Sequence, residues 1–282
     1  MPVVIFATAT AALFGFSDFL GGLASRRDSA IAVTAAAHSL GVAILAVAVW
    51  IFPYEAVTTR DLLIGAAAGI GGGVGVTSLY AALAAGRMSV VAPITAALSG
   101  SIPAAFDLIR GTSVGPTGVL GIVLALVAII IVSATSSTDE DGVRDVPPIA
   151  IALALLAGVG FAGAFLGFSF TGTGSGLWPI LSARVTSAVL LVGLALLRRG
   201  RLGLDVAARR PAYLAGALDV AANMTMISAI RIGPLAVASV LGSLYPVTTL
   251  LLARFMLGER MRPVQRLGVG LALVAVVLTA LP

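Results

Sequence analysis

The segment GPTGVLGIVLALVAIII at residues 115–131 has a counterpart, RPVQRLGVGLALVAVVL, at residues 262–278. Extended without gaps, the same shift of 147 positions places residues 82–128 over 229–275 with twelve identities. They are Ala82/Ala229, Gly86/Gly233, Val90/Val237, Gly111/Gly258, Pro116/Pro263, Leu120/Leu267, Gly121/Gly268 and the pentapeptide LALVA at 124–128 and 271–275. Because several identities fall on turn-forming glycine and proline, the pattern indicates that the chain contains an internal duplication.

Composition indicates that the duplicated chain lies in a membrane. Hydrophobic residues make up 59% of the 282 positions and charged residues only 10%, whereas soluble domains carry about 25% charged residues. The mean hydropathy is +1.11. A water-soluble fold of this composition would have to expose most of its apolar surface, so we expect a lipid bilayer to surround the protein.

Ten windows are apolar and long enough to be membrane-spanning helices, which need about 20 residues each. We number these predicted helices 1 to 10, and they cover residues 3–24, 31–52, 62–84, 88–109, 117–134, 148–170, 178–197, 211–230, 234–257 and 264–281. The first lacks a positively charged leader, so we expect it to be retained as a helix. The longest polar interruption near the midpoint, TSSTDEDGVRDVP at 135–147, reads as a linker.

The odd number of helices in each half has a topological consequence. Residues 1–134 and 148–282 each contain five predicted helices, so the second copy must enter the membrane upside down. The predicted fold is an all-α integral membrane protein with ten transmembrane helices arranged as two inverted five-helix repeats. In secondary transporters, such repeats place the substrate site near the midplane between the halves.

Arginine distribution predicts the orientation. The chain has no lysine. Loops after odd-numbered helices hold eleven arginines: Arg26, Arg27, Arg87, Arg144, Arg198, Arg199, Arg201, Arg209, Arg210, Arg260 and Arg262. Loops after even-numbered helices hold three: Arg60, Arg110 and Arg231. The positive-inside rule then makes the first set of loops cytoplasmic and places both termini outside.

Several function classes are disfavoured. The absence of cysteine excludes disulfides and thiolate chemistry, and a single histidine, His38, argues against a histidine metal cluster. We therefore predict no metal, no cofactor and no enzymatic activity. The net charge of +5 is spread over short loops, which is a topology signal and predicts no nucleic-acid partner.

Three parts of the sequence resemble a known family. The segment LFGFSDFLGGLASRR at 13–27 resembles the first helix of EamA-like members of the drug/metabolite transporter superfamily. The stretches GRMSVVAPITAALSGSIPAAFDLIRGTSVGPTGVLGIVLALVAIII at 86–131 and GPLAVASVLGSLYPVTTLLLARFMLGERMRPVQRLGVGLALVAVVL at 233–278 resemble its later pattern, which is a proline-containing helix after a short loop, then LGE, then a glycine-rich final helix. The LGE motif of the second stretch has no match in the first half, where Thr112 stands opposite Glu259.

The resemblance covers nearly the whole chain and has its own implications. It implies ten helices in two repeats and a secondary transporter, often an exporter, of metabolites, amino acids or drugs. It implies no particular substrate. Members of the family are usually drawn with both termini cytoplasmic, which is the opposite of what the arginine distribution predicts, so both orientations stay open.

Four ionisable residues sit well inside apolar spans: Asp18, His38, Arg184 and Asp219. A charged group at the bilayer centre costs about 2.5–3.5 kcal/mol on insertion scales, so such residues are expected to face a cavity or a partner. Asp18 is predicted to bind a cation or take up a coupling proton, or else to pair with an arginine. Arg184 is predicted to bind an anionic group, or to pair with an acid such as Asp219. His38 is a candidate proton relay, or a packed, hydrogen-bonded side chain.

Polar stripes extend this set. Asn223 follows Asp219 by one helical turn, and the repeat makes helix 3, with Thr77 and Tyr80, the counterpart of helix 8. We predict that these residues line a cavity; hydrogen bonding between helices is the alternative. Pro93 in helix 4 and Pro246 in helix 9 predict hinges or cavity walls, and the neighbouring polar candidates are Ser99, Ser239 and Tyr245. Four-residue glycine spacings such as Gly69/Gly73 predict close helix packing.

The sequence therefore predicts a secondary transporter, expected to export a small polar metabolite such as an amino acid by alternating access around a central cavity. Helices 1–4 and 6–9 are expected to line that cavity. A multidrug or cationic-compound efflux protein is the alternative, as is a non-transporting scaffold or sensor. The expected setting is the plasma membrane of a bacterium, with proton coupling through Asp18 and a homodimer through helices 5 and 10 as further expectations.

Overall fold

The computed structural model of the chain describes residues 2–86, 88–134, 147–199, 203–256 and 263–280. Helices occupy most of these ranges, and no strand occurs within them. The α-helices are α1 Pro2–Ser25, α2 Ala30–Ile51, α3 Thr59–Ala85, α4 Met88–Ile109, α5 Pro116–Ala134, α6 Pro148–Ser169, α7 Trp178–Arg199, α8 Val206–Ile232, α9 Leu235–Gly242, α10 Tyr245–Met256 and α11 Pro263–Ala280. The predicted linker, except Pro147, and Glu259 lie outside the described residues.

Eight helical stretches within the described residues are long and apolar enough to cross a membrane. They are α1 to α4, α6 to α8, and α9 together with α10. Apolar residues on their outer faces are exposed, among them Ile5, Val47 and Leu63, as expected where lipid and not water surrounds the protein. Shorter apolar stretches lie in α5 and α11, at Pro116–Ile131 and Arg266–Thr279. The chain is therefore a multi-pass helical membrane protein, and the count of ten spans stays a prediction.

Predicted helix 9 corresponds to the single candidate span Leu235–Met256, but the helix within it is interrupted. It consists of α9 and α10, which are separated by Ser243 and Leu244. Pro246 explains the break because proline lacks the backbone N–H of a helical residue and its ring clashes with the carbonyl four positions earlier. As the second residue of α10, Pro246 lies in the first turn, where the missing N–H costs little. In contrast, α4 continues through both Pro93 and Pro103.

Glycines bring helices of the two halves into backbone contact. A Cβ atom on Gly69 of α3 would lie 2.6 Å from the Ala183 Cα of α7, and one on Gly216 of α8 would lie 2.8 Å from the Ala37 Cα of α2. Such contacts require glycine, because no other residue leaves room for the facing backbone. These contacts agree with the prediction that the glycine spacing allows close helix packing.

Other pairs complete the bundle. Helix α1 runs antiparallel to α8: the Thr10 and Thr225 hydroxyls are 2.8 Å apart, and Ser17 donates to the Ala215 carbonyl over 2.9 Å. Helix α3 likewise packs antiparallel to α6. Helix α5 packs against α11 at the edge of the bundle. Helices α1, α2, α3, α6, α7 and α8 consequently surround the interior, where the candidate site lies.

Candidate functional site

An ion pair between α7 and α8 is the centre of the site. Arg184 lies in the second turn of α7, and its Nη2 atom is 2.5 Å from Oδ2 of Asp219 in α8. Both side chains are less than a tenth exposed. Pairing with an acid was one of the two predictions for Arg184, and the geometry places the planar guanidinium against a carboxylate, the anion that its donors fit best.

His38 of α2 completes a polar group around this pair. Its Nδ1 atom lies 2.8 Å from the Ser187 hydroxyl, which in turn lies 3.1 Å from the Arg184 carbonyl oxygen and donates to it. A serine hydroxyl has one hydrogen, so His38 Nδ1 must be the donor to Ser187. The neutral ring then carries its free lone pair on Nε2, which is buried and has no hydrogen-bond partner among the described residues.

These side chains line an interior cavity of about 40 Å³. About 10–15 Å³ of such space holds one water molecule, so the cavity has room for a few waters. One side is polar, with His38, Arg184, Ser187, Asp219 and Asn223. The other walls are Phe14, Ala68, Gly69, Gly72, Gly73, Val76, Phe161, Ala164, Phe165, Phe168, Ile180 and Ala183.

The structure thus brings together four residues that the sequence singled out: His38, Arg184, Asp219 and Asn223. The Asn223 amide donates to the Asp219 carbonyl oxygen over 2.8 Å, so part of its polarity is already used within α8. The cavity walls come from helices 1, 2, 3, 6, 7 and 8. Helices 4 and 9 were expected to contribute as well, but none of their residues lines this cavity.

Asp18 is buried in α1 and does not line the cavity wall. It interacts electrostatically with Asp219, and no cationic partner for it is found among the described residues. Tyr80, in the core, packs its ring against Gly21, and its hydroxyl lies 3.4 Å from the Ser17 hydroxyl. Asp18 is therefore a buried acid beside the site.

The remaining predicted residues lie outside the cavity. The Ser99 hydroxyl lies 3.0 Å from the Ser243 hydroxyl, and Ser239 donates to the Gly100 carbonyl over 3.3 Å, so these serines join α4 to the α9–α10 junction. Pro93 and Pro246 are buried in the same region. The Thr77 hydroxyl is buried and lacks a hydrogen-bond partner within the described residues, and Tyr245 is buried beside Ser99 and Thr95.

Hydrogen bonds tie the two halves together at one end of the bundle. Asp61 accepts a hydrogen bond from the Thr58 hydroxyl at the start of α3, and its second oxygen accepts from Gly172 N over 2.7 Å. Arg231, at the end of α8, donates to the Ser175 hydroxyl over 2.9 Å. These bonds fasten the 170–177 connection, next to the cavity residue Phe168, to helices of both halves.

A second connection, residues 52–58, lies against the first. Glu55 N donates to the Gly174 carbonyl over 2.8 Å. The rings of Trp50, Tyr54 and Trp178 pack edge to face, with centroids 5.5–6.5 Å apart. We call the segments 52–58 and 170–177 the end cap. It covers the bundle end at which α6 ends and α7 begins.

Sequence reasoning missed Asp61, Ser187 and the phenylalanine walls. The capping pattern Thr58-x-x-Asp61 was a readable signal for the start of α3. Ser187 follows Arg184 by three residues, so it shares that helix face. The position of Phe14 opposite Phe165, with ring centroids 6.3 Å apart, depends on tertiary packing and has no local signal.

Comparison with known proteins agrees with this architecture. Residues 148–281 match the model of the EamA-like transporter family. A solved protein crystal structure aligns with a TM-score of 0.68 over 96% of this chain and 98% of the other, at 16% sequence identity, so the likeness shows a shared fold alone. No curated protein matches the chain. The predicted resemblance is confirmed over the second half of the chain, where residues 148–281 match the EamA-like transporter family.

Proposed function

We propose that the protein is a secondary transporter that exports a small polar metabolite, such as an amino acid, by alternating access around the interior cavity. The observation that carries the proposal is the Arg184–Asp219 ion pair, buried beside His38 in a cavity within the membrane-spanning bundle. The family match supports transport as the activity.

A purely structural role does not account well for the ion pair. Replacing a buried pair by apolar residues of similar volume is often neutral or stabilising. Ionisable residues inside a membrane are expensive and usually mark a substrate or ion pathway. A pair that lines a cavity is therefore better explained by ligand binding than by stability.

An amino acid matches this pair chemically. Its carboxylate would accept hydrogen bonds from the Arg184 guanidinium, whose planar set of donors suits planar anions. Its ammonium group would pair with the Asp219 carboxylate. Such a zwitterion replaces one internal ion pair by two, so no buried charge is left without a partner.

Matching contacts in the two halves support inverted repeats, 1–134 and 148–282, as the framework for alternating access. Gly69 faces Ala183, and its counterpart Gly216 faces Ala37. At the C-terminal ends of α3 and α8, Gly86 lies next to Ala150, and Gly233 lies next to Val3. Because each contact has an equivalent after exchange of the halves, the two halves can also exchange conformations, which opens the site to either side in turn.

The small cavity implies that helices must part when the metabolite binds. Movement of the end cap would open the cavity at one end. Asp18 is our candidate for the coupling proton because it is a buried acid that interacts with Asp219. In proteoliposomes, Asp18→Asn should abolish the dependence of transport on a pH gradient, and an unchanged dependence would remove Asp18 from this role.

The deciding experiment has two steps. A thermal-shift screen of the purified protein against amino acids, sugars, nucleotides and cationic drugs identifies the ligand class. Uptake of a radiolabelled hit into everted and right-side-out vesicles then gives the direction of transport. Stabilisation by cationic drugs alone would favour multidrug efflux, and the absence of any ligand would favour a scaffold or sensor. The proposed location is the plasma membrane of a bacterium.

A further inference from the structure

Helix α3 carries a run of glycines, and packing explains all but one of those near the cavity. A Cβ atom added to Gly71 would lie 3.0 Å from the Gly160 oxygen. One added to Gly73 would lie 2.9 Å from the Ser187 Cβ, and one added to Gly75 would lie 2.8 Å from the Phe161 ring. Gly69 lies against the Ala183 backbone. At these positions a side chain would force a neighbour to move.

Gly72 is different. A Cβ atom there would have a single neighbour within 4 Å, the Ala164 Cβ of α6 at 3.9 Å, which is an ordinary van der Waals distance. Helix packing therefore does not require glycine at position 72. Glycine also costs about 0.5–1 kcal/mol in a helix relative to alanine, so its presence calls for another explanation.

The explanation lies in the cavity, because Gly72 and Ala164 both line it. A methyl group is about the size of a water molecule, and about 10–15 Å³ of cavity space holds one water. The cavity of about 40 Å³ holds only a few waters, so a methyl group on Gly72 would displace about one of them and a larger side chain would displace more. His38 lines the same cavity, and its Nε2 atom is buried without a hydrogen-bond partner among the described residues, so a polar ligand would find an unused polar group there.

We propose that Gly72, opposed by Ala164, sets the size limit of the molecule that the cavity accepts. This inference rests on the proposed transport function and adds the position that determines specificity. The polar head of the ligand binds at Arg184 and Asp219. Its remaining part passes between α3 and α6 at Gly72 and Ala164, which are both small.

The test uses amino acids of increasing side-chain size as probes: glycine, alanine, valine, leucine and phenylalanine. Binding is measured by thermal shift and transport by uptake into proteoliposomes. Gly72→Ala should weaken the binding of the largest amino acid that the wild type accepts by at least tenfold, and Gly72→Val should abolish that binding. Both variants should still bind glycine and alanine. Ala164→Gly should move the limit upward by one step in the series.

Gly163→Ala is the matched control. Gly163 precedes Ala164 but faces outward, and a Cβ atom there would meet nothing within 4 Å. This variant should keep the wild-type size limit. The proposal is overturned if Gly72→Val binds the largest accepted amino acid as tightly as the wild type, or if Gly163→Ala changes the limit equally.

A second readout separates this proposal from the proposed function. Because the chain has no cysteine, Asn223→Cys places a single thiol at the cavity wall for reaction with methyl or benzyl methanethiosulfonate. Adding Gly72→Val should slow the reaction of this thiol with the benzyl reagent at least tenfold more than its reaction with the methyl reagent. Adding Gly163→Ala should slow neither reaction. If no amino acid binds the wild type, the proposed substrate is wrong. Equal slowing of the reactions with both reagents by Gly72→Val would then overturn the size limit as well.

Discussion

Arg184 and Asp219 form an ion pair that joins α7 to α8, with Nη2 and Oδ2 2.5 Å apart and both side chains almost fully buried. The two residues are 35 positions apart in the chain. The pair encloses the polar side of the cavity together with His38 and Ser187. Each charge neutralises the other, so loss of one partner has a different consequence from loss of both.

Removing one partner should be more damaging than replacing both. Arg184→Met leaves the Asp219 carboxylate buried without its cation, and breaking such a pair costs about 3–5 kcal/mol. The double variant Arg184→Met/Asp219→Leu leaves no buried charge at this pair, so it should recover most of the thermal stability but remain inactive in transport. Melting temperatures in detergent and proteoliposome uptake measure the two effects. Equal melting temperatures for the single and double variants would contradict this account.

The glycine contacts between halves should be equally sensitive at equivalent positions. Gly69→Ala and Gly216→Ala each insert a methyl group against the backbone of a facing helix. Such overpacking costs about 1–3 kcal/mol, so both variants should melt at lower temperature by similar amounts. Gly193→Ala is the control because a Cβ atom there meets nothing within 4 Å. A loss at only one of the two positions would count against equivalent packing in the halves.

The end cap should move during transport. A Cβ atom on Gly174 would lie 3.2 Å from the Glu55 Cβ, close to the Cβ separation of about 3.5–4.5 Å in disulfides. The double variant Glu55→Cys/Gly174→Cys should therefore form a disulfide on oxidation, which locks the end cap and stops uptake until a reductant is added. The two single-cysteine variants are the controls. Full activity of the cross-linked protein would show that these segments stay together throughout the cycle.

Orientation is tested with the same cysteine-free background. Glu55 lies in the end cap, after an even-numbered helix, and Arg27 lies in the loop after α1; both are exposed. The arginine distribution predicts that a membrane-impermeant maleimide labels Glu55→Cys in intact cells and labels Arg27→Cys only after lysis. The reverse pattern would favour the orientation that the family resemblance implies.

Helix positions were largely predictable because a spanning helix must be apolar along its whole length. Predicted helix 7, 178–197, corresponds to α7 Trp178–Arg199. Predicted helix 8 began at residue 211, but α8 begins at Val206, where the Asp205 side chain accepts from Ala207 N. Arg209 and Arg210 hid this first turn because hydropathy alone assigns charged residues to a loop. The break before Pro246 shows the same limit, since a proline separates α9 from α10 whereas two prolines leave α4 continuous.

The sequence by itself determined that this protein is helical, lies in a membrane and keeps a few ionisable groups inside its spans, because each of these properties is local in the chain. Only the tertiary structure decided that Arg184 meets Asp219, that His38 meets Ser187 and that Asp18 lies outside the cavity wall. These pairings depend on how each helix is rotated about its axis. That rotation is set by contacts such as Gly69 with Ala183, which join residues far apart in the chain.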